Sequence, residues 1–210
     1  MIRTQIFNAA EMSVADLQPV ARAMTQGAVA VLPTDTVYGL ATSAFCESGI
    51  EKIYRLKNRP SGQPLQLLMS GAEQVRNVAK FSPGAEKLAR AYWPGALTLI
   101  LPAVPAGEPL LRGALGLGIR VPGMQFLQRL LACVNGPLAC TSANEHGQAV
   151  FTREEDLVEC FDGKVDFIIK GGTLSPTASS VVDLTQTPRL LREGAISKAA
   201  LENVLGGTIV

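Results

Sequence analysis

Five apolar residues, Ala28 to Leu32, run straight into Pro33-Thr34-Asp35-Thr36-Val37-Tyr38-Gly39-Leu40. The run reads as a buried strand. The segment after it is unusual: two threonines, an aspartate and a tyrosine stand within five positions, closed by a glycine. A strand that empties into a hydroxyl-rich loop is how open α/β sheets present a ligand site. Two further polar clusters, Lys57-Asn58-Arg59-Pro60 and Thr141-Ser142-Ala143-Asn144, interrupt an otherwise apolar chain. Together the three predict one composite site for a phosphorylated or carboxylated small molecule.

The rest of the chain alternates helical and strand patterns. Ser13 to Gln26 has helical apolar spacing, with Ser13 as cap and Gly27 as stop. Further helices are expected from about Glu47 to Leu56, from Ser82-Pro83 to Tyr92, after Pro122-Gly123 to Cys133, after a Thr152/Glu155 capping box, and after Ser197. Strands are expected at 28–32, 39–45, 65–69, 96–101, 117–121, 137–140, 167–169, 180–184 and 189–191. The Pro- and Gly-rich segment 102–116 reads as a mobile surface loop. No linker divides the 210 residues, so the expectation is one α/β domain, 1–210, built on a mixed sheet with flanking helices.

Composition removes several function classes. Nineteen Lys and Arg against 18 Asp and Glu leave a net charge of +1, which supplies no global pull toward nucleic acid or membrane. With 47% hydrophobic and 18% charged residues the chain is a folding one, not a disordered one. No stretch has the length of a membrane span and the N-terminus lacks a signal-peptide core, so a cytoplasmic protein without a membrane partner is expected. The four cysteines form no C-x-x-C pair and read as buried free thiols. A single histidine, His146, leaves no room for a Ser-His nucleophile or a multi-histidine metal site elsewhere in the chain.

Lys52, Arg55, Lys57 and Arg59 put four cations in eight residues. Such a run is ordinarily a solvated face. Here Pro60-Ser61-Gly62-Gln63-Pro64 comes next as a rigid turn, and cations fixed beside a turn suit phosphate oxygens. Neither a P-loop nor G-x-G-x-x-G is present. Ser142 and Asn144 also fit an ordinary turn. Arg120, inside the apolar run 117–121, needs a partner or a ligand carboxylate unless its strand is an edge facing water. Trp93-Pro94-Gly95 reads as a packing corner.

Seven ordered stretches give the chain a likeness: PTDTVYGL at 33–40, KNRP at 57–60, YWPGALTLIL at 92–101, GIRVP at 118–122, TSAN at 141–144, SSVVDL at 179–184 and LLREGAI at 190–196. In these it resembles the YrdC-like threonylcarbamoyl-AMP synthase family, in its short, single-domain form. The resemblance implies a twisted open sheet with a basic concave surface. It implies formation of threonylcarbamoyl-AMP and pyrophosphate from L-threonine, bicarbonate and ATP, with Mg²⁺ accompanying ATP. The product would serve N6-threonylcarbamoyladenosine-37 modification of tRNA, reached directly or through downstream transfer proteins. Carried over by position, Lys57, Arg59, Ser142 and Asn144 are the catalytic, phosphate-facing group, joined at the nucleotide by Gln63 and Arg192. Thr34, Thr36, Tyr38, Arg120, Cys140, Ser179 and Ser180 fall to threonine. Leu68, Gly116 and His146 depart from the family pattern. Two other classes compete: an RNA-binding translation or ribosome-assembly factor, which the near-neutral charge disfavours, and an inactive homologue, against which the intact Lys57, Arg59, Ser142 and Asn144 argue.

Overall fold

The computed structural model describes residues 3–58, 63–144, 148–175 and 177–210. Its strands are β1 (Gln5–Asn8), β2 (Ala30–Leu32), β3 (Gly39–Ser43), β4 (Gln66–Leu68), β5 (Leu97–Leu101), β6 (Leu117–Arg120), β7 (Leu138–Ser142), β8 (Phe167–Lys170), β9 (Ser180–Asp183) and β10 (Arg189–Arg192). Its helices are α1 (Val14–Thr25), α2 (Glu47–Leu56), α3 (Ala72–Arg76), α4 (Pro83–Tyr92), α5 (Gln125–Val134), α6 (Glu154–Phe161) and α7 (Lys198–Leu205). Local signals set most boundaries. Ser13 and Asp16 form a reciprocal capping box before α1, Ser82 accepts from the Ala85 amide with Pro83 at the first position of α4, and Ser197 accepts from the Ala200 amide before α7.

All ten strands among the described residues join one mixed sheet, ordered β1-β8-β2-β3-β7-β4-β6-β5-β9-β10. Alternation along each strand splits its side chains between two faces. Val31, Leu67, Leu99, Ile119, Ala139 and Val182 face one way, into a core closed by α2, α3, α4, α6 and α7. Ala30, Leu32, Ala41, Leu68, Leu138 and Cys140 face the other way, under α1 and α5. That second cover extends only over the β8-β2-β3-β7 half and the near edge of β4. On the same face, β6, β5 and β9 present Gly118, Arg120, Thr98, Ile100 and Val181, which line a cleft instead of a core. The cleft exists because two helices cover half of one sheet face and leave the other half open.

Several expectations are corrected. The 102–116 segment lies at the surface, as expected, but is not wholly irregular: Pro105–Leu110 forms a 3₁₀ helix that buries Leu110, while Leu115 is 95% exposed. The Val104 amide donates to the Val78 carbonyl at 2.9 Å, and Arg112 forks onto Glu47 at 2.9 and 2.6 Å. A Cβ on Gly107 would collide with the Val78 carbonyl oxygen, so this glycine serves close backbone approach. The Thr152/Glu155 capping box does not form. Arg153 is the cap residue, without a side-chain bond, so Glu155 falls at the second helical position instead of the third, and its carboxylate pairs with Arg153 Nε at 3.5 Å. The expectation that Arg120 needs a partner holds: it stands on β6, between β4 and β5 and 3% exposed, and pairs with Asp35. The polar edge strand β1 and the single-turn α3 were not foreseen.

Candidate functional site

The cleft has a volume of about 380 Å³ and gathers segments far apart in sequence. The β2–β3 loop brings Thr36 and Val37; β4 brings Gln66; β5 brings Thr98 and Ile100; β6 brings Gly118 and Arg120; β7 brings Cys140, Thr141 and Ser142; the approach to β9 and the end of β10 bring Ser179 and Arg192.

Arg120 is the most constrained of these groups. Its Nε donates to the Gly95 carbonyl (2.9 Å), Nη1 to Thr36 Oγ1 (2.7 Å) and Nη2 to Asp35 Oδ1 (2.6 Å). Asp35 thereby neutralises a guanidinium almost wholly removed from water, where an unpaired charge would be costly. Two of the five N–H donors remain for a ligand. The hydroxyl chain behind it has a fixed direction. Thr34 Oγ1 donates to the Val37 carbonyl (2.7 Å), so Thr36 Oγ1, already accepting from Arg120, donates to Thr34 (3.0 Å).

A second polar chain crosses the cleft wall. Gln66 Nε2 donates to Thr98 Oγ1 (2.6 Å), Thr98 pairs with Ser179 Oγ (2.8 Å), and Arg192 donates to Ser179 Oγ (3.1 Å) and to its carbonyl (2.9 Å). Arg192 is exposed as a residue, with its head group against Ser179. Burial first, then repulsion from Arg120, pulls its guanidinium below the usual value. A ligand with negative charge near Arg192 would relieve that repulsion.

The third polar cluster is bound to itself. Lys57, at the end of α2 and 3% exposed, donates to the Ser142 carbonyl (2.6 Å), the Asn144 carbonyl (2.5 Å) and Asn144 Oδ1 (3.0 Å). Ser142 Oγ donates to the same Oδ1 (2.5 Å), and Asn144 Nδ2 donates to the Gln148 carbonyl (2.5 Å).

The structure thus brings Thr36, Arg120, Cys140, Ser142, Ser179 and Arg192 to one cleft. Thr34 lies beneath Thr36 and reaches the cleft only through it. The Tyr38 hydroxyl is turned away: it donates to the Gly172 carbonyl (2.7 Å) and accepts from the Gly171 amide (2.8 Å), pinning the loop to the end of β8. Ser180 is likewise spent on backbone, donating to the Ile196 carbonyl and accepting from the Gly194 and Ile196 amides. Gln63 is exposed, its carbonyl accepting from Tyr54 at 2.7 Å, while its neighbour Pro64 lines the cleft. Arg59 and His146 lie outside the described residues. Asp35, Gln66 and Thr98 received no role from the sequence. The last two are polar positions inside apolar strand runs, which is the signal that would have found them.

Cys140 faces Gly39 from the cleft wall, and burial pushes its thiol up to about 12. A thiol so placed is protonated at neutral pH and is no nucleophile. The folded protein holds this proton more tightly than the unfolded chain. Its contribution is therefore intact below about pH 9 and is lost as pH rises toward 12. Wild type is expected to lose roughly 4 kcal/mol across that window from this group. Cys140→Ala should show a correspondingly shallower alkaline decline in urea unfolding between pH 8 and 10.5, whatever its absolute stability; parallel declines would contradict the assignment.

Comparison with known proteins adds three findings. The family model named for Sua5, YciO and YrdC, described as "Telomere recombination", matches residues 22–194. Threonylcarbamoyl-AMP synthases of Pyrococcus abyssi and Bacillus subtilis are 36% and 35% identical over 185 and 190 residues. The matches take in 86% and 87% of this chain but 54% of each relative, so the chain spans about half their length. The crystal structure of P. abyssi Sua5 complexed with L-threonine superposes with a TM-score of 0.90 at 32% identity, covering 98% of this chain and 62% of that one.

Proposed function

The chain belongs to the Sua5/YciO/YrdC family, and from that premise we propose that it makes threonylcarbamoyl-AMP and pyrophosphate from L-threonine, bicarbonate and ATP. The observation that carries this reading is a cleft holding two guanidinium groups, Arg120 and Arg192, above a floor opened by Gly118 and flanked by Ile100 and Val181. Such a site suits a ligand with separate anionic groups and apolar parts: an amino-acid carboxylate beside Arg120 and a nucleotide toward Arg192.

In this reading the neutral amine of threonine attacks CO₂ derived from bicarbonate, forming the N–C bond and losing a proton. A carbamate oxygen then attacks the α-phosphorus, the bond to the bridging oxygen breaks, and pyrophosphate leaves. The residues at hand favour positioning and charge neutralisation over covalent catalysis, since the cleft thiol is held protonated. Carbamates revert to amine and CO₂ in water, so a recessed site helps the second step overtake that loss. Mg²⁺ would enter with ATP. It would be held chiefly by phosphate oxygens and water, the ligands this cation prefers.

The product would supply the threonylcarbamoyl group for tRNA modification in the cytoplasm, handed to transfer proteins or to tRNA. No helix among the described residues is long and apolar enough to cross a membrane. Incubation with ATP, L-threonine and isotopically labelled bicarbonate should yield a labelled adenylate on ion-exchange chromatography. Label that never co-elutes with an adenosine chromophore would sink the proposal.

A further inference from the structure

We infer that Lys57 is a positioning residue, whose buried ammonium is the centre about which the Ser142–Asn144 turn folds, and that it acts on the ligand through that turn. This rests on the reading of the cleft as an ATP site. An ammonium has three N–H donors. Lys57 Nζ donates to three acceptors of Ser142 and Asn144, at 2.5–3.0 Å. The lysine is 3% exposed and does not line the cleft, whereas Ser142 does. Its stem comes from the C-cap of α2, packed against β3 on the sheet's fully covered face, so the charge is held by the rigid part of the molecule.

The turn depends on that charge. Carbonyls of residues 142 and 144 converge on one point, where without a donor their dipoles would repel. Asn144 Oδ1 accepts from both Lys57 Nζ and Ser142 Oγ, which sets the asparagine amide so that Nδ2 donates to the Gln148 carbonyl. Ser142 also ends β7, opposite Gly39 of β3. Lys57 thus couples the end of α2 to the end of β7, and this coupling sets the orientation of Ser142 in the cleft.

The test is a double-mutant cycle with Lys57→Met and Asn144→Ala, read by ATP affinity in calorimetry and by amide hydrogen exchange of residues 138–144 without ligand. Each single variant is expected to weaken ATP at least tenfold, and the double variant no more than threefold beyond the weaker single. Exchange in residues 138–144 should rise in ligand-free Lys57→Met while that of β5 and β6 stays at the wild-type rate. Losses that multiply in the double variant, or unchanged exchange, would overturn the inference. Lys57→Gln keeps two N–H donors and carries the same measurements if Lys57→Met does not fold. A wild type that binds no ATP would remove the underlying reading, and the exchange arm would still decide whether Lys57 holds the turn.

Discussion

Arg120→Met is expected to lower unfolding free energy by about 2–4 kcal/mol and kcat/KM for the amino acid by about 10- to 100-fold. Methionine keeps much of the stem volume, so the effect isolates the guanidinium. Its loss strands three acceptors at once: the Gly95 carbonyl, Thr36 Oγ1 and the Asp35 carboxylate. The Asp35 side chain is 21% exposed, so water recovers part of its solvation and the cost falls short of a fully buried broken pair. A second substitution separates charge from packing. Asp35→Asn in the Arg120→Met background removes the stranded charge and should return about 1 kcal/mol. Urea midpoints for the two variants measure this directly. An unchanged midpoint in Arg120→Met would mean that the Arg120–Asp35 pair is energetically idle.

Gly194→Ala should be the most damaging single-methyl insertion beside the cleft. A Cβ there would lie 2.3 Å from the Ala178 oxygen and 2.6 Å from the Ser179 carbonyl carbon, both backbone atoms that cannot rotate away. The chain must part where the Gly194 amide meets Ser180 Oγ and the Ala195 amide meets the Ala178 carbonyl. Overpacking of this kind costs about 1–3 kcal/mol. It also shifts Ser179, which joins Arg192 to Thr98, so activity should fall by at least about tenfold even where the protein remains folded. Gly118→Ala is the control for stability. Its Cβ would meet nothing nearer than Ile100 Cγ1 at 4.0 Å, so its melting temperature should match wild type. Equal melting temperatures and rates for wild type and Gly194→Ala would show that the 178–179 wall is not held in place by residue 194.

Most of the fold was legible because its punctuation is local. Ser13, Ser82 with Pro83, and Ser197 each announce a helix start that the structure realises through their own side-chain oxygens. The sequence misled where one residue type has two uses. Gly107 and its flanking prolines look like a loose loop, yet they make a tight 3₁₀ turn against Val78. In the site, proximity along the chain placed Thr34, Thr36 and Tyr38 together but could not say which hydroxyl faces a ligand. Thr36 lines the cleft, Thr34 supports it from below, and Tyr38 binds backbone at Gly171 and Gly172. Gln66 and Thr98 were overlooked because each sits in an apolar strand run. They become visible once strand pairing sets Gln66 opposite Cys140 and Thr98 opposite Arg120.

The decisive measurement for synthase activity is pyrophosphate release from ATP, in the complete mixture and with L-threonine or bicarbonate left out in turn. Steady release is expected in the complete mixture and background rates in either omission. The amine and the CO₂ source must combine before anything can displace pyrophosphate. Undiminished release without threonine would contradict it.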